Sequence, residues 1–502
     1  MSLRRNIVAN YISQGYVALV GILILPIYIR FMGAEAYGLV GFFTMLQACF
    51  SLLDIGLTPT IGRETARFHG GAMSSLAFRQ LFRSLSLIFV AVAVSGGVLL
   101  WLLSEVIAAK WLNILTLPRS EVVVALQIMG FSVALRWMCG LYRGVVTGTE
   151  RLVWLSAFNV ATASLRFLGV LPVMWYFGFT PYVFFLYQLL IALFELLGLW
   201  MKSMTILPAK ASLPGPIGWS FQPVRPVLKF ALTVAFTSAV SVAVTQADKL
   251  VLSGILSLAA YGHFTLAVLV AGGIMIISGP VSSAIMPRMT KLHAQGDQQG
   301  MLNVYRTATQ LVSIVAGSCA VTLAFFSTPL LYAWTGDRVL TAEAAPILSL
   351  YALGNGFLVI AAFAYYLQYA MGNLRYHLAG NLVMLALLVP GVVIGATYYG
   401  PIGAGYVWLS LNIILLLFWV AYVHGKIMPG VHIGWLVNSV FVIYAPAFIV
   451  AFVMSRFEFV SDSRVSNFIY VFGCGSVTLA SSLLASKNCR LWLGGKLGWV
   501  SK

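Results

Sequence analysis

Long apolar runs recur along this chain, and they constrain its fold more than any other feature. Fourteen stretches are long enough to cross a hydrocarbon core, which takes ~20 apolar residues in an α-helix. Of the 502 residues, 61% are hydrophobic and only 9% are charged, a balance typical of polytopic membrane proteins. We therefore predict an all-α membrane protein of about 14 transmembrane helices, with approximate limits 7–29, 38–61, 84–104, 122–142, 152–177, 181–201, 229–247, 262–286, 307–327, 344–367, 377–399, 402–423, 435–454 and 467–486.

The distribution of basic residues predicts how these spans are oriented. With the N-terminus inside, 21 of the 30 Lys and Arg residues fall in inner segments and 7 in outer segments. Short loops rich in Lys and Arg stay in the cytoplasm, so we expect both termini on that side. The same bias explains the net charge of +17, and no nucleic-acid partner is expected. The run 7–29 is too long for a signal-peptide core, and we expect it to be retained as the first span.

The two halves of the chain repeat at an offset close to 224 residues. Tandem repeats of six spans keep the same topology, which predicts two pseudo-symmetric lobes related by an axis along the membrane normal. The matching positions are Tyr37–Gly38 and Tyr261–Gly262, Ser104 and Ser327, Trp111 and Trp334, Gly148 and Gly372, and Arg151 and Arg375. The predicted divisions are a six-helix lobe at 1–201, a Pro-rich cytoplasmic linker at 202–228, a second six-helix lobe at 229–425, and two additional helices with a cytoplasmic tail at 426–502.

Charged residues inside the spans are the candidate functional groups. A charge in hydrocarbon is costly and usually faces a partner or a water-filled cavity. Arg166 lies mid-span, ~16 Å from either end at 1.5 Å per residue, which favours a functional role. Arg136 and Glu195 lie nearer the inner ends of their spans, and two interpretations stay open for them: a structural ion pair or a part in function.

Four further charges have an equally plain structural alternative. Asp54 either caps or kinks its span through local hydrogen bonds or takes part in ion coupling. Arg30 and Lys249 lie near outer span ends, where they either anchor the interface or bind substrate. Asp248 either neutralises Lys249 or couples an ion. Taken together, the cations suit an anionic head group such as a pyrophosphate, which Arg binds as a bidentate fork.

Several catalytic sequence patterns are missing. The chain has no GxxxxGK[ST] phosphate-binding loop, no HExxH, and no metal-spaced arrangement of its five cysteines. The longest predicted outer loop, 105–121, contains no histidine. We therefore expect no enzyme activity, no metal and no cofactor.

The first half contains LPIYIRFMGAEAYGLVGFF followed by LLDIGLTPTIGRETAR, and the second half contains QADKLVLSGILSLAAYGHF. These stretches resemble bacterial polysaccharide flippases of the Wzx type. The resemblance implies the fold shared with multidrug-extrusion (MATE) transporters and lipid II flippases, in which two six-helix lobes surround a central cavity. It also implies the cargo, an oligosaccharide unit on undecaprenyl pyrophosphate, moved across the bacterial inner membrane for O-antigen or other surface polysaccharide.

These observations predict ion-coupled flipping by alternating access. Arg166, Arg136, Arg30 and Lys249 are the candidate substrate-binding residues. Asp54, Glu195 and Asp248 are the candidates for exchanging a proton or a sodium ion. The expected partners are the lipid-linked oligosaccharide, the bilayer and other polysaccharide-assembly membrane proteins. A MATE-like drug exporter and a membrane glycosyltransferase or polymerase are the alternatives.

Overall fold

The computed structural model is all-helical, which confirms the predicted fold class. It describes residues 3–51, 54, 57–71, 73–209, 215, 217–218, 224–457, 459 and 461–486. Within those ranges the α-helices are α1 Leu3–Leu23, α2 Leu25–Met32, α3 Ala34–Ser51, α4 Leu57–His69, α5 Ser75–Val106, α6 Arg119–Gly148, α7 Leu152–Phe167, α8 Val170–Phe177, α9 Pro181–Met204, α10 Val224–Ile255, α11 Leu258–Ala294, α12 Gln298–Val312, α13 Ser318–Phe325, α14 Ser327–Thr335, α15 Arg338–Ala370, α16 Arg375–Ile414, α17 Val420–Ile427, α18 Val431–Trp435, α19 Val442–Ser455 and α20 Arg464–Ala485. Short π-helical segments lie at Ile107–Trp111, Ser313–Gly317, Leu415–Trp419 and Leu436–Phe441.

In the part of the chain that the structure describes, eleven helices are long and apolar enough to cross a membrane. The longest, Arg375–Ile427, covers 53 residues. It turns at Gly400, whose φ of 61° and ψ of −150° are not helical, and so it holds the predicted spans 377–399 and 402–423. The predicted spans 38–61 and 229–247 are not among the eleven. The first corresponds to α3, whose hydropathy is lowered by the polar residues Glu35 and Gln47. The second corresponds to α10, which is only partly described. Most of the predicted linker 202–228 and the tail beyond residue 486 lie outside the described residues.

The first of two compact units covers Met1–Gly262. Its central helix is α6, which packs against α9, α5 and α4. Gly140, Gly144 and Gly148 recur every four residues on the face of α6 that meets α4. A Cβ on Gly144 would lie 2.7 Å from the carbonyl oxygen of Thr58. Small residues at this spacing let membrane helices approach closely, so the glycines determine how tightly α4 and α6 pack.

The two Tyr–Gly steps that suggest a repeat lie together where the N-terminal ends of α3 and α11 meet. A Cβ on Gly262 would lie 2.6 Å from the carbonyl oxygen of Ala34, and a Cβ on Gly38 would overlap the carbonyl oxygen of Leu258. Shifting Ala34 and Gly38 by 224 residues gives Leu258 and Gly262, so the two contacts are reciprocal. Each Tyr–Gly step therefore needs its glycine because the backbone of the other copy occupies that space.

Hydrogen bonds tie the loop between α5 and α6 to the start of α3 and to the end of α10. Glu35 at the start of α3 accepts hydrogen bonds from the amides of Leu115 (2.6 Å), Thr116 (2.8 Å) and Leu117 (3.1 Å), and from the Thr116 hydroxyl. Burial raises the pKa of the Glu35 carboxyl, but these hydrogen bonds outweigh burial and hold the pKa below its usual value. Asn113 donates from its side-chain amide to the carbonyls that end α10, including that of Ile255 at 3.1 Å.

The second compact unit covers His263–Lys502. Its most buried long helix is α15, which packs against α16, α13 and α14. The last helices, α19 and α20, pack against each other and against α13, so they belong to the body of this unit.

His424 in α17 is fully buried and lies 2.8 Å from the Tyr305 hydroxyl and 3.1 Å from the Nδ1 atom of His432. His424 is therefore part of the packed core. The division of the chain into predicted lobes at 201 and 229 stays a prediction.

Candidate functional site

A ladder of polar side chains runs between three helices of the first unit. Each helix supplies two residues seven positions apart, which puts them two helical turns apart on one face, ~10.5 Å along the axis. We call this set the polar ladder: Arg136 and Arg143 on α6, Asn159 and Arg166 on α7, and Gln188 and Glu195 on α9.

The first rung joins all three helices through Arg143. Its guanidinium donates to Glu195 at 2.6 Å and to the side-chain oxygen of Asn159 at 2.7 Å. The side chain of Arg143 is 34% exposed, whereas that of Glu195 is 11% exposed. The carboxylate therefore lies behind the arginine, and a ligand in solvent would meet Arg143 first.

The second rung is built on Arg136, whose partners are neutral. Its two terminal nitrogens donate to the side-chain oxygens of Gln47 at 2.7 Å and Gln188 at 2.8 Å. The guanidinium carbon lies 5.2 Å from the centre of the Phe43 ring, at cation–π distance. Its Nε atom is buried and has no hydrogen-bond partner among the described residues. Arg136 is therefore a half-buried cation held by two amide dipoles and an aromatic ring.

Arg166 lies on α7, and its guanidinium also has a nitrogen without a hydrogen-bond partner among the described residues. Its guanidinium carbon lies 4.9 Å from the centre of the Phe167 ring, and its Nε atom is buried without a described partner. The Gln188 amide that faces Arg136 also donates to the Arg166 carbonyl at 3.1 Å. The Tyr28 hydroxyl donates to the Phe167 carbonyl at 2.7 Å, which ties α2 to this end of α7.

The charge balance of the ladder favours an anionic ligand. Its described residues include three guanidinium groups and one carboxylate. Desolvating an arginine without a counter-ion is unfavourable, and such groups in membrane proteins usually mark a substrate or ion pathway. Two terminal nitrogens in one plane match the oxygens of a phosphate. The ladder can therefore bind a phosphate or pyrophosphate group.

Glu195 pairs with Arg143, which differs from the ion pair that we weighed between Arg136 and Glu195. The predicted span 122–142 ends one residue before Arg143, which places Arg143 in an inner loop. In the structure α6 continues to Gly148, so Arg143 lies on the helix face that carries Arg136. The helix is longer than its apolar run, and this brings Arg143 into the ladder.

The other predicted substrate-binding residues lie elsewhere. Arg30 is exposed in the last turn of α2, with its guanidinium carbon 5.8 Å from the centre of the Phe31 ring. The Lys249 ammonium donates to the Thr245 carbonyl at 2.7 Å and lies 3.8 Å from Asp248. Both alternatives for these two cations, interfacial anchor or substrate-binding residue, stay predictions.

The two remaining acidic candidates have local backbone partners. Asp54 accepts from the backbone amide of Thr58 at 3.1 Å and from its hydroxyl at 2.7 Å. Thr58 lies in the first turn of α4, so this is the capping arrangement that sequence analysis offered as one alternative. Asp248 is buried and accepts from the backbone amide of Lys249 at 2.8 Å. Glu195 is the ion-coupling candidate that contacts a ladder arginine among the described residues.

Sequence reasoning missed the residues that hold the arginines. Gln47, Asn159 and Gln188 are polar residues within apolar helices, and none carries a charge that would draw attention. The sequence signal that could have identified Asn159 and Gln188 is their spacing of seven residues from Arg166 and Glu195, which places each pair on one helix face. No group of three or more His, Cys, Asp or Glu side chains that could hold a metal ion occurs among the described residues.

A family model described as polysaccharide biosynthesis protein matches residues 3–293, which is more than half of the chain. A search of curated proteins finds no match. Among solved structures, the chain is similar to the lipid II flippase MurJ in an inward closed conformation, with a TM-score of 0.69 and 16% identity over 95% of this chain and 98% of that one.

Two transporters of the MOP superfamily have the same fold. An inward-facing multidrug resistance MATE family transporter matches with a TM-score of 0.67 and 12% identity over 82% of this chain and 94% of that one. A MOP superfamily transporter from Pyrococcus furiosus matches with a TM-score of 0.53 and 13% identity over 84% of this chain and 95% of that one. These similarities confirm the predicted fold, and together with the family match they lead to one conclusion. The chain belongs to the polysaccharide biosynthesis protein family, that of the Wzx-type flippases, and is a multi-pass membrane protein with the MOP-superfamily transporter fold.

Proposed function

We propose that this protein translocates oligosaccharide units linked to undecaprenyl pyrophosphate across the bacterial inner membrane, with the polar ladder receiving the pyrophosphate. The observation that carries the proposal is the excess of guanidinium groups over carboxylates on α6, α7 and α9. Both termini lie in the cytoplasm, as the bias of basic residues indicates. Alternating access moves the sugar through a hydrophilic path while the lipid tail stays in the bilayer.

The exposure of the three arginines supports an order of events. Arg143 is the more exposed partner of its ion pair, so the anion meets it first. Arg136 and Arg166 each have a buried Nε without a described partner and bind the anion as it moves deeper. Guanidinium groups bind phosphate in a planar, bidentate geometry, which suits the two phosphoryl groups of the cargo.

The ion pair of the first rung supplies a coupling step. When the pyrophosphate takes over Arg143, Glu195 loses the cation that lies 2.6 Å from it. An acidic group inside a membrane span needs a positive partner, so the loss of Arg143 links cargo binding to the uptake of a proton or a sodium ion at Glu195. Release of the cargo restores the ion pair and expels the proton or sodium ion.

The test is flipping by purified protein in liposomes, using a fluorescent lipid-linked oligosaccharide and a membrane-impermeant quencher. Arg136→Gln, Arg143→Gln and Arg166→Gln are each expected to lower the rate about tenfold or more, since one hydrogen bond to a charged group contributes ~1.5–3 kcal/mol. Arg456→Gln is the matched control, because Arg456 is exposed and its guanidinium contacts only the Phe452 ring among the described residues. Unchanged flipping in all three ladder variants would refute the proposal.

The coupling step has its own test. Glu195→Gln keeps the size of the side chain but cannot exchange a proton. We expect this variant to bind the cargo and to flip it without any dependence on an imposed proton gradient. Flipping by Glu195→Gln that still depends on the proton gradient would exclude Glu195 as the coupling residue. A dependence of wild-type flipping on sodium would make sodium, rather than the proton, the coupling ion.

A MATE-like exporter of cationic drugs is the second candidate, and the fold alone allows it. The charge of the ladder disfavours it, because a cationic drug would meet three guanidinium groups. Growth of a deletion strain on cationic drugs separates the candidates. A polysaccharide defect without drug sensitivity supports the flippase.

A further inference from the structure

The second compact unit contains a groove that neither the ladder nor the proposed transport cycle uses. It has a volume of about 670 Å³ and lies between α11 and α12. The two helices are joined by the three residues 295–297, with Gly296 at a φ of 75°. Because the connection is so short, α11 and α12 run antiparallel at this end, and the groove opens where their facing surfaces do not fill the space.

Polarity changes along the groove from the turn towards the middle of the helices. Near the turn its walls carry Arg288 on α11 and Asn303 on α12, both exposed. Farther on, Ile285 and Ala308 are buried and form the floor, and half-exposed Leu311 closes the far end. From Asn303 to Leu311 the groove follows eight residues of α12, ~12 Å. A polar mouth above an apolar channel matches an amphiphile.

The charge at the mouth is positive. Arg288 has no hydrogen-bond or ion-pair partner among the described residues, and exposed Lys291 follows one helical turn later. The nearest acidic residue along the chain, Asp297, accepts a hydrogen bond from the amide of Gly300 at 2.8 Å and so caps α12. Basic pockets between transmembrane helices on the cytoplasmic side suit the phosphate of a lipid head group.

We propose that this groove holds an anionic phospholipid of the cytoplasmic leaflet, with its phosphate on Arg288 and one acyl chain between α11 and α12. The groove would hold about twenty waters at ~30 Å³ each, but its floor is apolar and offers them few partners. A phospholipid supplies one phosphate diester, which one arginine and a nearby lysine can match. This inference does not rest on the proposed transport function.

The molecule offers an internal comparison. A second groove of about 420 Å³ lies between α5, α6 and α9, lined by apolar residues such as Val94, Phe131 and Leu190. It has no cation in its lining. We expect it to accept hydrocarbon without any preference for the charge of the head group.

The experiment is native mass spectrometry of the full-length protein, delipidated in detergent and then titrated with phosphatidylglycerol or phosphatidylethanolamine. The wild type is expected to retain phosphatidylglycerol, and Arg288→Gln to retain about fivefold less, since one basic residue near the surface contributes ~1 kcal/mol. Arg375→Gln is the matched control, because Arg375 is exposed and contacts Tyr376. Leu311→Trp should block the groove and abolish the preference for phosphatidylglycerol over phosphatidylethanolamine, whereas Leu190→Trp in the uncharged groove should leave that preference unchanged.

Three results would overturn the inference. They are equal retention of phosphatidylglycerol by Arg288→Gln and wild type, equal retention of the two lipids by wild type, and a preference for phosphatidylglycerol that Leu190→Trp lowers as much as Leu311→Trp. Displacement of phosphatidylglycerol by undecaprenyl phosphate, in a manner that requires Arg288, would assign the groove to the lipid tail of the cargo and would also overturn it. Both tryptophan sites are already exposed, so these variants test the grooves without disturbing the core.

Discussion

α6 and α15 occupy matching places in the repeat, since residues 119–148 shifted by 224 fall at 343–372. Both are long, central, mostly buried helices of their units. Yet Arg136 and Arg143 on α6 match Ile360 and Leu367 on α15, and those two are fully buried. The second unit therefore builds the same kind of helix core without charge, which shows that packing does not require the arginines of α6.

The comparison extends to the partners of these arginines. Glu195 on α9 matches Trp419, and Arg166 on α7 matches Pro390. Gln188 matches Asn412, which is buried and donates to the carbonyl of Trp408 at 2.7 Å within its own helix. One copy of the repeat thus has a charged ladder where the other has apolar packing and local hydrogen bonds.

The largest effect is expected from moving a ladder charge into the apolar copy. Ile360→Arg places a guanidinium in a fully buried position of α15, where the described neighbours offer no carboxylate. An uncompensated buried charge costs about 3–5 kcal/mol, so thermal unfolding in detergent should shift strongly downward. Ile360→Met is the control of similar length. A stability equal to wild type would mean that the second unit has an unrecognised water-filled space at this level.

The reverse exchange, Arg136→Ile, should separate stability from transport. Removing the cation abolishes its part in binding, and we expect flipping to fall about tenfold to a hundredfold. Arg136 donates to the neutral side chains of Gln47 and Gln188, so the loss of two hydrogen bonds is offset by no longer desolvating a cation, and the unfolding temperature should stay close to that of the wild type. Paired measurements of flipping and melting check this. A variant that unfolds readily and flips normally would make Arg136 structural.

The two copies also differ at Glu35, which binds the loop between α5 and α6, because the matching residue is Ala259. The hydrogen bonds that lower its pKa stabilise the fold above the usual Glu value of ~4.3, and this contribution is lost as the pH falls through the lower folded-state pKa. Glu35→Gln should therefore lose about 1–3 kcal/mol at neutral pH and show a flatter dependence of the melting temperature between pH 6 and 3. Parallel curves for the two proteins would contradict this account.

The smallest effect is expected at Asp54, which separates a cap from a coupling residue. Asp54→Ala should destabilise the protein by about 0.5–2 kcal/mol, whereas Asp54→Asn should lose little, because Asn caps about as well as Asp. We expect flipping and its dependence on the proton gradient to survive in Asp54→Asn. Loss of that dependence in a stable Asp54→Asn protein would restore Asp54 as the coupling residue in place of Glu195.

The sequence by itself determined the all-α membrane fold and the family, and it predicted the internal repeat and the mid-span position of Arg166. Hydrophobic runs of span length leave a chain no alternative to helices, because backbone groups in lipid must be satisfied within the segment. The tertiary structure decided which charges meet. Arg143 lies in the ladder because α6 continues beyond its apolar run, and Glu195 forms an ion pair with Arg143 rather than with Arg136. Helix length and helix-to-helix register fix these contacts, and neither can be read from the period of one helix alone.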